Sequence, residues 1–317
     1  MPEAFTLTPR LYEQALGAYL GLAVGDALGA TVEFMTPREI RARHGVHRDI
    51  TGGGWLKLQA GQVTDDTTMS LALGEALLQG HRVNRPWDTA LVADAFVRWW
   101  RGKPVDCGNT CRRGIARYDS TGVLAGPPQE GDGGNGALMR NLPVALATVG
   151  QPERLQAVSL AQAHITHHHP LSDAALLAFG QWLHAIWLQP DARLAQVTLD
   201  SLATAWVQAW PAFRFQPYPG RASGYVVDTV QTVLHFAVGA TDFESAVVGA
   251  VNQGDDADTT GALVGMLLGA IHGAGAIPPR WLHKLDAGVR WAIVEQTSAL
   301  LAWHTARPVE ERACAHG

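Results

Sequence analysis

The residues best equipped for chemistry stand in two short stretches, "TDDTT" at 64–68 and "DDADTT" at 255–260, each leading into a long apolar run. Thr64, Asp65 and Asp66 are consecutive in the first. In the second, Asp256, Asp258 and Thr259 can converge on one point if the turn before the helix curls around it. Together they offer four carboxylates and two hydroxyls, an all-oxygen donor set. Such donors suit hard divalent cations such as Mg²⁺, Mn²⁺ or Ca²⁺. With reference pKa values near ~4, the four acids carry about four negative charges at neutral pH. Two divalent cations held about 3.5–4 Å apart by bridging carboxylates would neutralise them. The spacing is not that of an EF-hand, which needs acids at alternating loop positions and a closing Glu. Capping a helix start, worth roughly 0.3–1 kcal/mol, accounts for one acid in each cluster. The surplus acids in both clusters favour metal.

The elements that must position these residues read as helices. Met69, Leu73, Ala76 and Leu77 share one helical face, and "LYEQALGAYLGLAV" (11–24) repeats that period. So do 86–100, with Pro86 at a first-turn position, and 170–188, 223–238, 242–253 and 279–303. No series of alternating strands is present. Ala and Gly recur on these helices and let them approach closely. The Gly-rich segments 47–63, 126–136 and 214–224 read as loops, with no long linker and no clear repeat. The expected architecture is all-α: a single compact multi-helix domain over 1–317, core about 12–300, with functional loops at helix ends.

Composition sets bounds. A chain of 317 residues, 47% apolar and 17% charged, is globular and can bury a substantial core. Its formal net charge of −5 argues against general nucleic-acid binding. Cys107, Cys111 and Cys314 form no CxxC pair, which fits reduced thiols in a cytosol. The N-terminus shows no signal-peptide pattern. The most apolar run, 261–277, is rich in Gly and carries His272, so it reads as a buried core helix and not a membrane span. A monomer in the cytoplasm is the default.

Four stretches, "GAYLGLAVGDALGATVEF" (17–34), "GQVTDDTTMS" (61–70), "GNGALMRNLPVAL" (134–146) and "GDDADTTGALVGMLLGA" (254–270), resemble the ADP-ribosylglycohydrolase family. The likeness runs from about residue 12 to about 300. Further stretches, 52–66, 104–115, 162–167 and 213–220, point to the subgroup that acts on the nitrogenase iron protein in nitrogen-fixing bacteria. The resemblance implies an all-α fold with a dinuclear metal cleft, Mn²⁺ first and Mg²⁺ second. Thr64, Asp65, Asp66, Asp256, Asp258 and Thr259 match the family's ligands. The implied reaction is hydrolysis of the bond between ADP-ribose and an arginine side chain, reactivating the iron protein. The implied partners are that protein as substrate and the P-II nitrogen-signalling protein, through which the chain could associate peripherally with a membrane. Two alternatives stay open: hydrolysis of another linkage (serine, O-acetyl-ADP-ribose or nucleic acid), and ADP-ribose binding without catalysis. The family often has Gly where Asp255 stands; Asp256 and Asp258 keep the Asp-x-Asp-Thr spacing, leaving Asp255 a solvated neighbour.

The resemblance also ranks further residues. Asp106 matches a catalytic acid and Glu33 a second one near the metals; the blander readings are a helix cap and a loop acid. Asn109 matches a position near the ribose, or caps its helix. Backbone N–H groups of Gly134, Asn135 and Gly136 suit a pyrophosphate or ribose. Tyr225 could stack on adenine or ribose, or belong to the core. In "HITHHHP" (164–170) the histidines suggest zinc, but no HExxH is present. His167 is placed at the substrate cleft by resemblance, while His168 and His169 read as a solvated loop. Trp99 and Trp100 read as packing.

Overall fold

Every fourth residue from Gly17 to Gly29 is a glycine, and so is every fourth residue from Gly261 to Gly269. On a helix this spacing makes one bare stripe. The computed structural model describes residues 7–303. Its helices are α1 (Pro9–Gly29), α2 (Pro37–His44), α3 (Asp65–Arg82), α4 (Thr89–Arg101), α5 (Asn109–Thr121), α6 (Leu142–Ala147), α7 (Pro152–Ala163), α8 (Pro170–Trp187), α9 (Ala192–Ala209), α10 (Val226–Ala237), α11 (Phe243–Val251), α12 (Ala257–His272), α13 (Pro279–Lys284) and α14 (Ala287–Ala302). No strand forms among the described residues; Gly53–Leu58 and Gly134–Tyr225 make isolated bridges. The fold is all-helical, as expected. Cys314 and residues 1–6 lie outside the described residues.

The two stripes face each other. A Cβ added to Gly21 would lie 2.1 Å from the carbonyl oxygen of Gly265, and one on Gly265 would lie 2.1 Å from that of Gly21. Gly17 meets Gly269, Gly25 meets Gly261 and Gly29 meets Ala257 in the same way, so α1 and α12 run antiparallel with backbones in contact. This pairing forms the axis of the core: every residue from Ala257 to Ile271 and from Gly17 to Gly29 is buried. It also brings the C-terminal end of α1 to the N-terminal end of α12. The run at 261–277 is thus a core helix that stops at His272, and no helix among the described residues is long and apolar enough to cross a membrane.

Three local expectations need correction. Helix α4 begins at Thr89, not at Pro86, because the Asp88 side chain accepts from the Ala90 N–H. The run 279–303 is two helices; Leu285 leaves the helical conformation and Asp286 caps α14 by accepting from the Val289 N–H. The periodic pattern also left out α7 and α9, whose polar residues dilute the apolar stripe.

Candidate metal centre and active site

Neither acidic cluster serves as a cap. Thr64 and Asp256 occupy the N-cap positions of α3 and α12, yet neither makes a side-chain cap hydrogen bond. The start of α3 is held instead by Asp26 of α1, which is fully buried. Its carboxylate accepts the backbone N–H groups of Thr64, at 3.0 and 3.1 Å, and Thr67, at 3.2 Å, and the Thr67 hydroxyl at 2.5 Å. Asp65 and Asp66 are therefore free to face away from the helix axis.

The threonines knit the clusters together across the cleft floor. The Thr64 hydroxyl donates to Asp258 at 3.3 Å, and the Thr259 hydroxyl donates to Asp66 at 3.1 Å. Asp65 accepts the Gly108 N–H at 3.2 Å, and Asp256 accepts from the side-chain amide of Asn135. Asp65, Asp66, Asp256, Asp258 and Thr259 all line one cleft of about 400 Å³. Thr64 does not reach that lining and lies fully buried beneath it.

This floor fits cations. Burial raises the Asp65 carboxyl to about 7, assisted by the Asp106 charge, and raises Asp256 to about 6. Asp66 and Asp258 are pushed well above the carboxylate range, first by burial and then by neighbouring acids. Oδ1 of Asp66 is buried with no hydrogen-bond partner. A buried acceptor left unpaired is costly, and a cation would satisfy it. Among the described residues no Lys or Arg forms a salt bridge to these four acids.

Glu33 and Asp106 join the floor. One oxygen each of Glu33, Asp106 and Asp258 lies within 4.8 Å of the others, so these three could themselves hold a cation. Glu33 is buried, accepts from Trp55 Nε1 at 2.7 Å, and is raised to about 8 by burial, with Asp256 and Asp106 adding to the rise. Asp106 is half-buried and is raised by burial, while the Cys107 N–H donates to it at 2.7 Å. Neither Asp106 nor Asn109 caps α5: Gly108 is the N-cap, and Asn109 accepts from Arg112 at 2.8 Å at the exposed rim.

The facing wall is the loop 134–136. Its glycines make room for His167: a Cβ on Gly136 would come within 2.8 Å of the ring, and one on Gly134 within 3.1 Å. His167 is buried and held neutral, its pKa pushed down by burial and then by Arg140 and Arg113. Tyr225 is not in the cleft lining; it sits 44% exposed at the rim against Gly133. Asp255 is exposed and left-handed at φ 53°, a conformation that suits Gly.

Sequence reasoning missed Asp26 and Arg140. Both are fully buried charges inside apolar stretches, and that is the signal that could have found them. Arg140 clamps the wall from behind, donating to Gly136 O at 3.0 Å, Gln162 Oε1 at 2.8 Å and Thr166 Oγ1 at 2.8 Å. His168 and His169 are not a solvated loop. His169 is 7% exposed and accepts the Leu171 N–H at the start of α8, and His168 stacks on His164 at 3.7 Å. His164 in turn pairs with Asp173 at 3.0 Å, and the group is separate from His167.

Three comparisons with known proteins bear on this cleft. A family model for ADP-ribosylglycohydrolase matches residues 7–309. The chain is 52% identical over 294 residues to the ADP-ribosyl-(dinitrogen reductase) glycohydrolase of Rhodospirillum rubrum, covering 93% of this chain and 97% of that one. It is 32% identical over 284 residues to the ADP-ribosylarginine hydrolase Tri1 of Serratia proteamaculans (strain 568), covering 86% and 75%. A solved structure described as an ADP-ribosylglycohydrolase-related protein complex is similar at a TM-score of 0.79 and 33% identity, covering 94% of this chain and 100% of that one.

Proposed function

Because the chain belongs to the ADP-ribosylglycohydrolase family, we propose that it is a metal-dependent hydrolase that removes ADP-ribose from an arginine of dinitrogenase reductase. The observation that carries the proposal is the joining of two distant acidic clusters, by Thr64 to Asp258 and Thr259 to Asp66, into one cation-demanding floor. The similarity to an enzyme named for dinitrogen reductase, at 52% identity, supports that substrate. On this basis the described residues, 7–303, form one glycohydrolase domain.

Asp65, Asp66, Asp256 and Asp258, with Thr64 and Thr259, would hold two divalent cations, Mn²⁺ first and Mg²⁺ second. Such ions, when bound, orient ribose hydroxyls and lower the pKa of a bound water. The chain's own residues do the rest. Glu33 and Asp106 flank the position of ribose C1, where cleavage develops positive charge that a carboxylate stabilises. Asp106 moves the proton, with Glu33 as the second acid. Gly134, Asn135 and Gly136 present backbone to the ribose and pyrophosphate. His167 stays neutral there and can donate or accept a hydrogen bond without adding charge. Asn109 borders the ribose, and Tyr225 offers its exposed ring to adenine at the rim. A P-II partner would bring the cytoplasmic chain to a membrane complex; the support for that partner is resemblance alone.

The test is release of ADP-ribose from ADP-ribosylated dinitrogenase reductase by purified protein with Mn²⁺. Asp106→Asn should abolish release while keeping metal. Turnover of a serine linkage in place of the arginine linkage would overturn the assignment.

A further inference from the structure

Two aromatic rings stand beside Glu33 with no packing role that explains them. Phe34 follows it in sequence, and Trp55 donates to it at 2.7 Å. The rings lie 5.2 Å apart at 49°, and both line the cleft. Yet Phe34 is 62% exposed and Trp55 51% exposed.

The backbone is shaped to present them. Phe34 is left-handed at φ 61°, a conformation that is a genuine outlier for a bulky residue. It is locked there by two hydrogen bonds, from the Phe34 N–H to Asp255 O at 2.7 Å and from the Asp255 N–H to Met35 O at 2.9 Å. Strain of this kind persists where the surroundings over-determine it, and it gathers at functional sites. Trp55 follows Gly52, Gly53 and Gly54, all with positive φ. A Cβ on Gly54 would lie 2.4 Å from Ala30 O, so only glycine lets this loop press against the end of α1. Two unrelated backbone devices deliver two exposed rings to one edge of the cleft.

We propose that Phe34 and Trp55 form the subsite for the guanidinium of the modified arginine and so set the preference for that linkage. The proposal rests on the function proposed above and names the part of the site that reads the target side chain. The substrate has an anionic pyrophosphate, a neutral ribose and a cationic guanidinium. The pyrophosphate suits the wall of Gly134, Gly136 and His167, which lines the same cleft and carries no carboxylate. With ribose C1 at Glu33 and Asp106, the guanidinium bonded to that carbon lies beside Glu33, where the rings stand. A planar guanidinium stacks on aromatic faces, and its remaining N–H groups can donate to Glu33. A neutral serine linkage gains nothing from such a pair.

The test uses the full chain loaded with Mn²⁺, with Phe34→Gly, Trp55→Phe and the double variant Phe34→Gly/Trp55→Ala. Phe34→Gly relieves the left-handed strain and so keeps the test open if the double variant fails to fold. The double variant should raise KM for ADP-ribosylarginine about tenfold, the scale of a partly desolvated cation–π contact. It should leave Mn²⁺ content and inhibition by free ADP-ribose unchanged, while Trp55→Phe should keep most of the affinity. An unchanged KM overturns the proposal. So does a parallel loss of inhibition by ADP-ribose, which would assign the rings to the nucleotide half. Wild-type protein that cleaves ADP-ribosylserine but not ADP-ribosylarginine would refute the proposed function instead, without reference to the variants.

Discussion

Thr67 donates both its backbone N–H, at 3.2 Å, and its hydroxyl, at 2.5 Å, to the same carboxylate oxygen of Asp26. A helix start is thereby held by an acid from another helix. The usual local cap becomes unnecessary, and the two acids that open α3 are left for the cleft. Asp26 itself is fully buried and lines no part of that cleft, so it acts through the turn it holds.

Asp26→Asn should therefore weaken metal binding without removing a ligand. The amide keeps the volume but sets an NH₂ group against N–H donors, and the "TDD" turn loosens. Residues that orient metal ligands typically contribute about 10–100-fold in affinity, and Mn²⁺ titration calorimetry should read a loss in that range. Wild-type affinity with a lowered melting temperature would limit Asp26 to support of the fold.

The glycine stripe makes a second prediction. Alanine at Gly21 would place its Cβ 2.1 Å from the Gly265 carbonyl oxygen, and backbone cannot yield as a side-chain tip can. Overpacking typically costs 1–3 kcal/mol, and a backbone-to-backbone contact along a whole helix pair puts Gly21→Ala at about 3 kcal/mol or more. Gly275 meets nothing within 4 Å, so Gly275→Ala should stay within roughly 0.5 kcal/mol. Urea unfolding of the two variants checks the contrast.

What could be read in advance follows from these contacts. Helical period and small residues were visible in α1 and α12, because burial on all sides leaves a long apolar run. The convergence of Asp66 with Thr259, 193 residues away, has no local signature; shared design of the two clusters and family resemblance pointed to it. Asp26 and Arg140 escaped notice because one charge hardly alters an apolar pattern, although a buried charge demands partners. The α13–α14 break was hidden because Leu285 keeps the apolar period and no Gly or Pro marks the stop. His169 looked solvated because its polarity was read without its capping bond to Leu171.

Metal removal should give stability a pH slope. Glu33 is raised to about 8, Asp65 to about 7, and Asp26 and Asp256 to about 6, all chiefly by burial, against unfolded values near ~4. Between those limits the folded apo protein binds more protons than the unfolded chain. Stability is thus fullest below about pH 4 for these groups and is lost as pH rises toward 8. Bound cations hold the carboxylates ionised and flatten the slope. Melting temperatures with chelator and with Mn²⁺ should diverge steadily from pH 5 to 8, roughly the span between these pKa values. Parallel curves would show that the acids are not metal-linked.

Asp66→Asn should act with opposite signs on the two states. In the apo protein it removes a carboxyl whose ionisation burial and neighbouring acids oppose and whose Oδ1 has no partner, so the melting temperature should rise. In the metal-loaded protein it removes an anionic ligand, and Mn²⁺ affinity and turnover should fall together. A loss of one carboxylate ligand exceeds a loss of its outer support, so the drop in affinity should be at least about 100-fold, the upper end for supporting residues. Thermal melts with and without Mn²⁺, beside calorimetry, separate these effects. A variant destabilised in both states, with affinity intact, would return Asp66 to a structural role at the start of α3.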